Sequence, residues 1–156
     1  MFGRRSVALA LGLVTILTLT LATGVAFAGG RPYTLDLTGE AEVTAAGVPN
    51  QGDLDGTGEV HLTMNPGTGE VCYEFTVQDV GTIMAAHIHG PAPSTTTAGV
   101  LIHLSPSGLD AADGSWSGCT TASRALILSI FHDPQLYYVN VHNQVFPAGA
   151  LRAQLG

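Results

Sequence analysis

The sequence contains no lysine, and its positive charge is five arginines, two of them (Arg4 and Arg5) at the extreme N-terminus. Twelve Asp and Glu stand against them. A nucleic-acid binder grips phosphates with a basic face, so this balance argues against nucleic acid as a partner. It argues equally against docking on anionic lipid. Charge of either sign is scarce, at 11% of residues, while 46% are hydrophobic; a disordered chain has the reverse composition. Cysteine is limited to Cys72 and Cys119, which lack the close spacing of an ordinary structural zinc site. No phosphate-binding loop and no dinucleotide fingerprint occurs. Gly114-Ser115-Trp116-Ser117-Gly118 has the glycine frame of a nucleophile elbow, but Trp116 holds the centre where Ser is required.

What is there begins with a leader. After Arg4-Arg5, no residue from Ser6 to Gly30 is charged, and Ala26-Phe27-Ala28 offers the small-x-small pattern of signal cleavage. The expectation is a signal peptide over residues 1–28, cut after Ala28, and a secreted chain of residues 29–156. The rival is a retained membrane helix, since the apolar run is long enough to span a bilayer. The abrupt change to polar, strand-like sequence at Gly29-Gly30-Arg31-Pro32 favours cleavage. An oxidising compartment turns the two cysteines into a disulfide candidate. It would close a loop of about 48 residues, worth roughly 4 kcal/mol in the chain-entropy picture.

The remaining pattern reads as strands. Tyr33, Leu35 and Leu37 alternate with polar residues. Glu40 to Thr44 suggests a second short strand before the Gly- and Asp-rich stretch from Gly47 to Gly58. Glu59 to Met64 and Glu70 to Val77 flank Asn65-Pro66-Gly67-Thr68-Gly69, dense turn chemistry that predicts a hairpin. Further strands are expected at 82–89, 100–104, 115–120, 136–142 and 150–155. Only Ala122 to Phe131 looks helical, a turn or two before Asp133-Pro134. The expectation is all-β, an antiparallel sandwich or barrel with one short helical turn.

Four phrases resemble the CHRD domain, first named from chordin. They are Val71-Cys72-Tyr73-Glu74-Phe75, Ala86-His87-Ile88-His89-Gly90, Tyr137-Tyr138-Val139-Asn140-Val141-His142-Asn143, and Phe146-Pro147-Ala148-Gly149-Ala150-Leu151-Arg152-Ala153-Gln154-Leu155. They fall in the family's order between Val71 and Leu155, and the resemblance covers about Tyr33 to Leu155. The resemblance implies an immunoglobulin-like β-sandwich and a non-catalytic binding or structural module, with an extracellular protein or cell-surface component as partner. It marks Gly90, Tyr138, Asn140, Phe146, Pro147, Gly149, Arg152 and Gln154 as motif positions.

The sharpest chemical feature is His87-x-His89. Two residues apart on a strand, both rings face one side, with Cβ atoms roughly 6.5–7 Å apart. His142, at the end of another strand, is a third candidate. Three readings stand. The histidines hydrogen-bond loop backbone and have a structural role, with no cofactor; or they bind copper or zinc, the metals suited to neutral imidazole, in a metal-binding or metal-dependent redox protein; or one of them is a catalytic general base. Copper–zinc superoxide dismutases also carry His-x-His on a strand, but their further His and Asp ligands have no counterpart at suitable places after Gly90. Asp53 to Glu59 has the alternating oxygens of a calcium loop and then departs from the EF-hand pattern, so a solvated acidic loop is expected. Arg152 is expected to pair with Glu74 or Asp79, or to cap loop carbonyls. Trp116, Tyr73, Tyr137 and Tyr138 read as packing residues.

Overall fold

The structure, a computed structural model, describes residues 29–105 and 114–156. The predicted leader and its cleavage site lie outside the described residues, as do residues 106–113 between the strands expected at 100–104 and 115–120. Eight strands follow in order: β1 (Arg31–Thr38), β2 (Thr57–Asn65), β3 (Glu70–Gln78), β4 (Ile83–His89), β5 (Val100–His103), β6 (Gly114–Thr121), β7 (Tyr138–Asn143) and β8 (Leu151–Gln154). One helix, α1 (Arg124–His132), and a 3-10 turn (Pro134–Leu136) lie between β6 and β7. Among the described residues the fold is all-β and antiparallel with a single short helix.

Alternation decides the core. In β3, Val71, Tyr73, Phe75 and Val77 are buried while Glu74 and Thr76 face solvent. β2 supplies Val60, Leu62 and Met64 to the same interior. The hairpin turn works as its residues dictate: Asn65 Oδ1 accepts from the Gly67 and Thr68 backbone amides, and Gly69 takes φ 76°, which a side chain disfavours. In α1, Ser123 caps the first turn by accepting from Leu126 N, and Ile127 and Ile130 enter the core.

All eight strands belong to one hydrogen-bonded sheet in the order β5-β4-β7-β8-β1-β2-β3-β6. The sheet curls until its two edges meet, nearly closing into a barrel. Trp116 on β6 donates its Nε1 proton to the Leu104 carbonyl just beyond β5, at 3.0 Å. Cys72 and Cys119 stand directly opposite each other on β3 and β6 and form the disulfide. The strand expected over Glu40–Thr44 is instead a tight turn, with one isolated bridge between Val43 and Pro49. Glu42 donates its backbone N–H to Gly39 O there, so the segment bends back on itself and has no partner strand.

β7 departs from simple alternation, because five of its six residues are buried. One face, carrying Val139 and Val141, lies in the core. The other face, carrying Tyr138 and Asn140, is covered by the loops at 39–53, 90–99 and 143–150. That covered outer face holds the histidines.

Candidate metal centre

Strand register puts the polar residues together. Among outward positions on β4, Ala85 pairs with His142, His87 with Asn140 and His89 with Tyr138 across to β7. On the other side of β4, His87 pairs with His103 of β5. Asn140 in turn pairs with Arg152, and Tyr138 with Gln154, on β8. Period-2 alternation therefore gathers four histidines, an arginine and two amides on one face of four neighbouring strands.

His87, His89 and His142 converge. One ring nitrogen from each lies within 4.8 Å of the other two. Loop carbonyls dictate which nitrogen is free. His89 Nδ1 is 2.9 Å from Ala98 O and His142 Nδ1 is 3.1 Å from Pro147 O, so both Nδ1 atoms carry the proton and donate it. Nε2 then keeps its lone pair on each ring, the arrangement in which an outer hydrogen bond orients an imidazole ligand. His89 Nε2 is buried and, among the described residues, makes no hydrogen bond. His87 Nδ1 and His142 Nε2 lie 3.0 Å apart. At a metal–nitrogen bond of about 2.0–2.1 Å, that separation subtends roughly 95°, nearer a square-based than a tetrahedral angle.

The site keeps its imidazoles neutral. Burial, followed by the neighbouring His142, His89 and His103, pulls the His87 pKa down to about 4. Burial likewise lowers His89 and His142. Neutral imidazole is the form that binds metal, so no proton has to leave a cationic ring at neutral pH. A second grouping of donors, Glu70 with Cys72 and Cys119, offers no thiolate because its sulfurs are bonded to each other.

The motif positions are fasteners around these rings. Tyr138 stacks on His89, with ring centres 4.9 Å apart and planes 7° apart, and its hydroxyl accepts from Ala98 N at 3.0 Å. Arg152 neither pairs with Glu74 nor reaches Asp79. Its guanidinium caps Thr96 O at 3.0 Å and Pro93 O at 3.2 Å and also donates to Gln154 Oε1. Gln154 donates to Ala92 O and Gln135 O. Asn140 donates to the carboxyl of Glu42, which is buried. Gly149 has φ 153° and backs onto Asn140 and Glu42 so closely that a Cβ would collide with both. Gly90, at φ 150°, lies against the Tyr137 ring and leaves equally little room. Phe146 N donates to Asn143 Oδ1, which turns the chain so that the Pro147 carbonyl faces His142.

Two residues escaped the sequence reading. Glu42 sits in a segment that resembled a strand and shows no pattern of its own. Its pKa is pushed up to about 7 by burial, against the opposing pull of Arg152 and the Val43 amide. His103 was detectable only as a second histidine on a neighbouring strand, and register alone places it beside His87. In the acidic stretch at 53–59, Asp55 and Glu59 are exposed as expected, while Asp53 is half-buried with its N donating to Ala150 O at 2.8 Å, and Gly56 is buried.

No curated protein and no solved structure matches the chain. The family model for the CHRD domain matches residues 33–155, nearly all of what is described. That span holds the histidine face together with every loop fastened over it, and the chain belongs to the CHRD domain family.

Proposed function

We propose that this chain is an exported, non-catalytic CHRD domain that binds one copper ion through His87 Nδ1, His89 Nε2 and His142 Nε2. The observation that carries the reading is the orphaned His89 Nε2, buried and unbonded while its other nitrogen is held by Ala98 O. A histidine with a purely structural role would satisfy both nitrogens or leave one in water, since burying a polar atom without a partner costs about 1–3 kcal/mol. A metal ion supplies that partner. Among first-row divalent ions, copper binds nitrogen sites most tightly, and the near-right angle between two donors suits it. Export after Ala28 fits the leader. The curled sheet also supports an immunoglobulin-like reading, with β5-β4-β7-β8 facing β1-β2-β3-β6 across the shared core.

The test is elemental analysis of untagged protein exported by its native host, followed by melting with added Cu(II) or Zn(II). The expected result is close to one copper per chain and a higher melting temperature, because a ligand at about 100 times its Kd adds roughly 2.7 kcal/mol. His89→Ala should abolish the copper-dependent part of the shift. Wild-type protein that retains no copper after dialysis and melts unchanged with either ion would reject the reading.

A further inference from the structure

His103 lies outside the three-nitrogen cluster yet touches it. Its ring centre is 4.9 Å from that of His87, at 79° between planes, on the side away from His142. The ring is exposed and, among the described residues, makes no hydrogen bond. Its strand, β5, is an edge strand of four residues. His87 is half-buried, and His89 behind it is buried. Exposure therefore falls step by step from His103 to His87 to His89, and His87 is the ring common to the outer pair and the inner trio, its centre 4.9 Å from that of His142.

We propose that His103 is a transient outer ligand that captures an incoming copper ion and passes it through His87 to His89 and His142. The inference rests on the three-histidine reading above and adds a route to it. A hydrated ion cannot enter a covered site in one step, because it must exchange its waters one at a time for protein donors. His103 offers the first nitrogen in open solvent, and His87 the second. Each later exchange replaces a water or the His103 bond with a deeper imidazole, and His103 ends unbound. No electron moves, and the displaced waters return to solvent. A residue used only on the way in and out lowers the barrier equally in both directions, so it changes rates and leaves the equilibrium alone.

Stopped-flow uptake of Cu(II) glycinate by the untagged protein, with release measured against an excess chelator, tests this. His103→Ala is compared with wild type and with His61→Ala, which removes an exposed histidine on β2. The expected result is that His103→Ala slows uptake and release by the same factor, on the order of tenfold, with Kd, stoichiometry and melting temperature unchanged. His61→Ala should match wild type. Unchanged rates in His103→Ala would overturn the proposal, because the ion then arrives from another side. A weaker Kd with unchanged uptake would also overturn it, making His103 an equilibrium ligand. If wild type takes up no copper at all, the three-histidine site falls first and this route falls with it.

Discussion

The guanidinium of Arg152 lies 3.6 Å from the centre of the Tyr138 ring, and the imidazole of His89 stacks on that ring from the opposite side, since β7 runs between β4 and β8. A cation, a phenol and a candidate metal ligand form one column. Arg152 also holds the loop whose Ala98 carbonyl orients His89. The residue is buried and its side-chain bonds run to the carbonyls of Thr96 and Pro93 and to Gln154, so it acts as a bracket for the site.

Replacing that bracket should loosen the loop. Arg152→Met keeps the packing volume but loses the charged hydrogen bonds, typically worth about 1.5–3 kcal/mol when one partner is ionised. A loss of about 2–3 kcal/mol in urea denaturation is expected, with faster amide exchange at Ala98. Arg152→Lys should recover only part of this, because an ammonium cannot lie flat on the ring and span two carbonyls at once. Wild-type exchange at Ala98 in Arg152→Met would show that the loop is held by other contacts.

Glu42 predicts a pH dependence with a definite sign. Its folded pKa of about 7 stands above the ordinary value of 4.5 because the carboxyl is buried, with Asn140, the Val43 amide, Arg152 and Tyr138 around it. A raised folded pKa means that the native state holds a proton the unfolded chain gives up. Its contribution is complete below pH 4.5 and is lost as pH rises through 7. Glu42→Gln stays neutral throughout. The variant should match wild type near pH 4 and exceed it by on the order of 3 kcal/mol at pH 8. The lowered pKa values of His87, His89 and His142 act in the opposite direction, eroding stability as pH falls below 6.5, but they are common to both proteins and cancel in the difference. A difference that stays flat between pH 4 and 8 would mean that Glu42 folds as a carboxylate.

Alternation made most of the architecture legible. Tyr33 to Leu37, Glu59 to Met64 and Glu70 to Val77 each carry a period of two, and each became a strand within a residue or two of its expected ends. The same period placed His87 and His89 on one side of β4. It failed at Glu40–Thr44, where strand-like alternation belongs to a turn that exposes Glu40 and buries the Glu42 carboxyl. It was also silent on β7. Tyr138 and Asn140 alternate with Val139 and Val141 as an exposed face would, yet loops distant in sequence cover them. Local pattern reports which way a side chain points. It does not report what lands on top of it, so it left open whether Arg152 meets a carboxylate or caps loop carbonyls, and the structure selects the carbonyls of Thr96 and Pro93.

The disulfide should contribute through the unfolded chain. Cys72 and Cys119 are 47 positions apart and join strands that already pair. In the loop-entropy picture, Cys72→Ala with Cys119→Ala costs roughly 4 kcal/mol, while the β3–β6 backbone pairing and the Trp116–Leu104 seam stay in place. Alkylation of exported protein without reductant should label no thiol. Labelling of two cysteines would remove this bond.

Closure of the sheet depends on Trp116. Its ring stacks on Phe75, with centres 4.5 Å apart and planes 5° apart, and its Nε1 proton is the bond from β6 to Leu104. Trp116→Phe keeps an aromatic stack and loses the hydrogen bond, leaving a buried carbonyl unpaired at about 1–3 kcal/mol. Trp116→Ala also opens a cavity, for about 3–5 kcal/mol in all. Leu104 N is itself bonded to Ala86 O beside His87, so slack at this seam travels to the strand that bears the histidines. Copper affinity should therefore weaken in Trp116→Ala more than in Trp116→Phe, measured by titration at a temperature where both are folded. Equal affinity in the two variants would show that the histidine face is insulated from the seam.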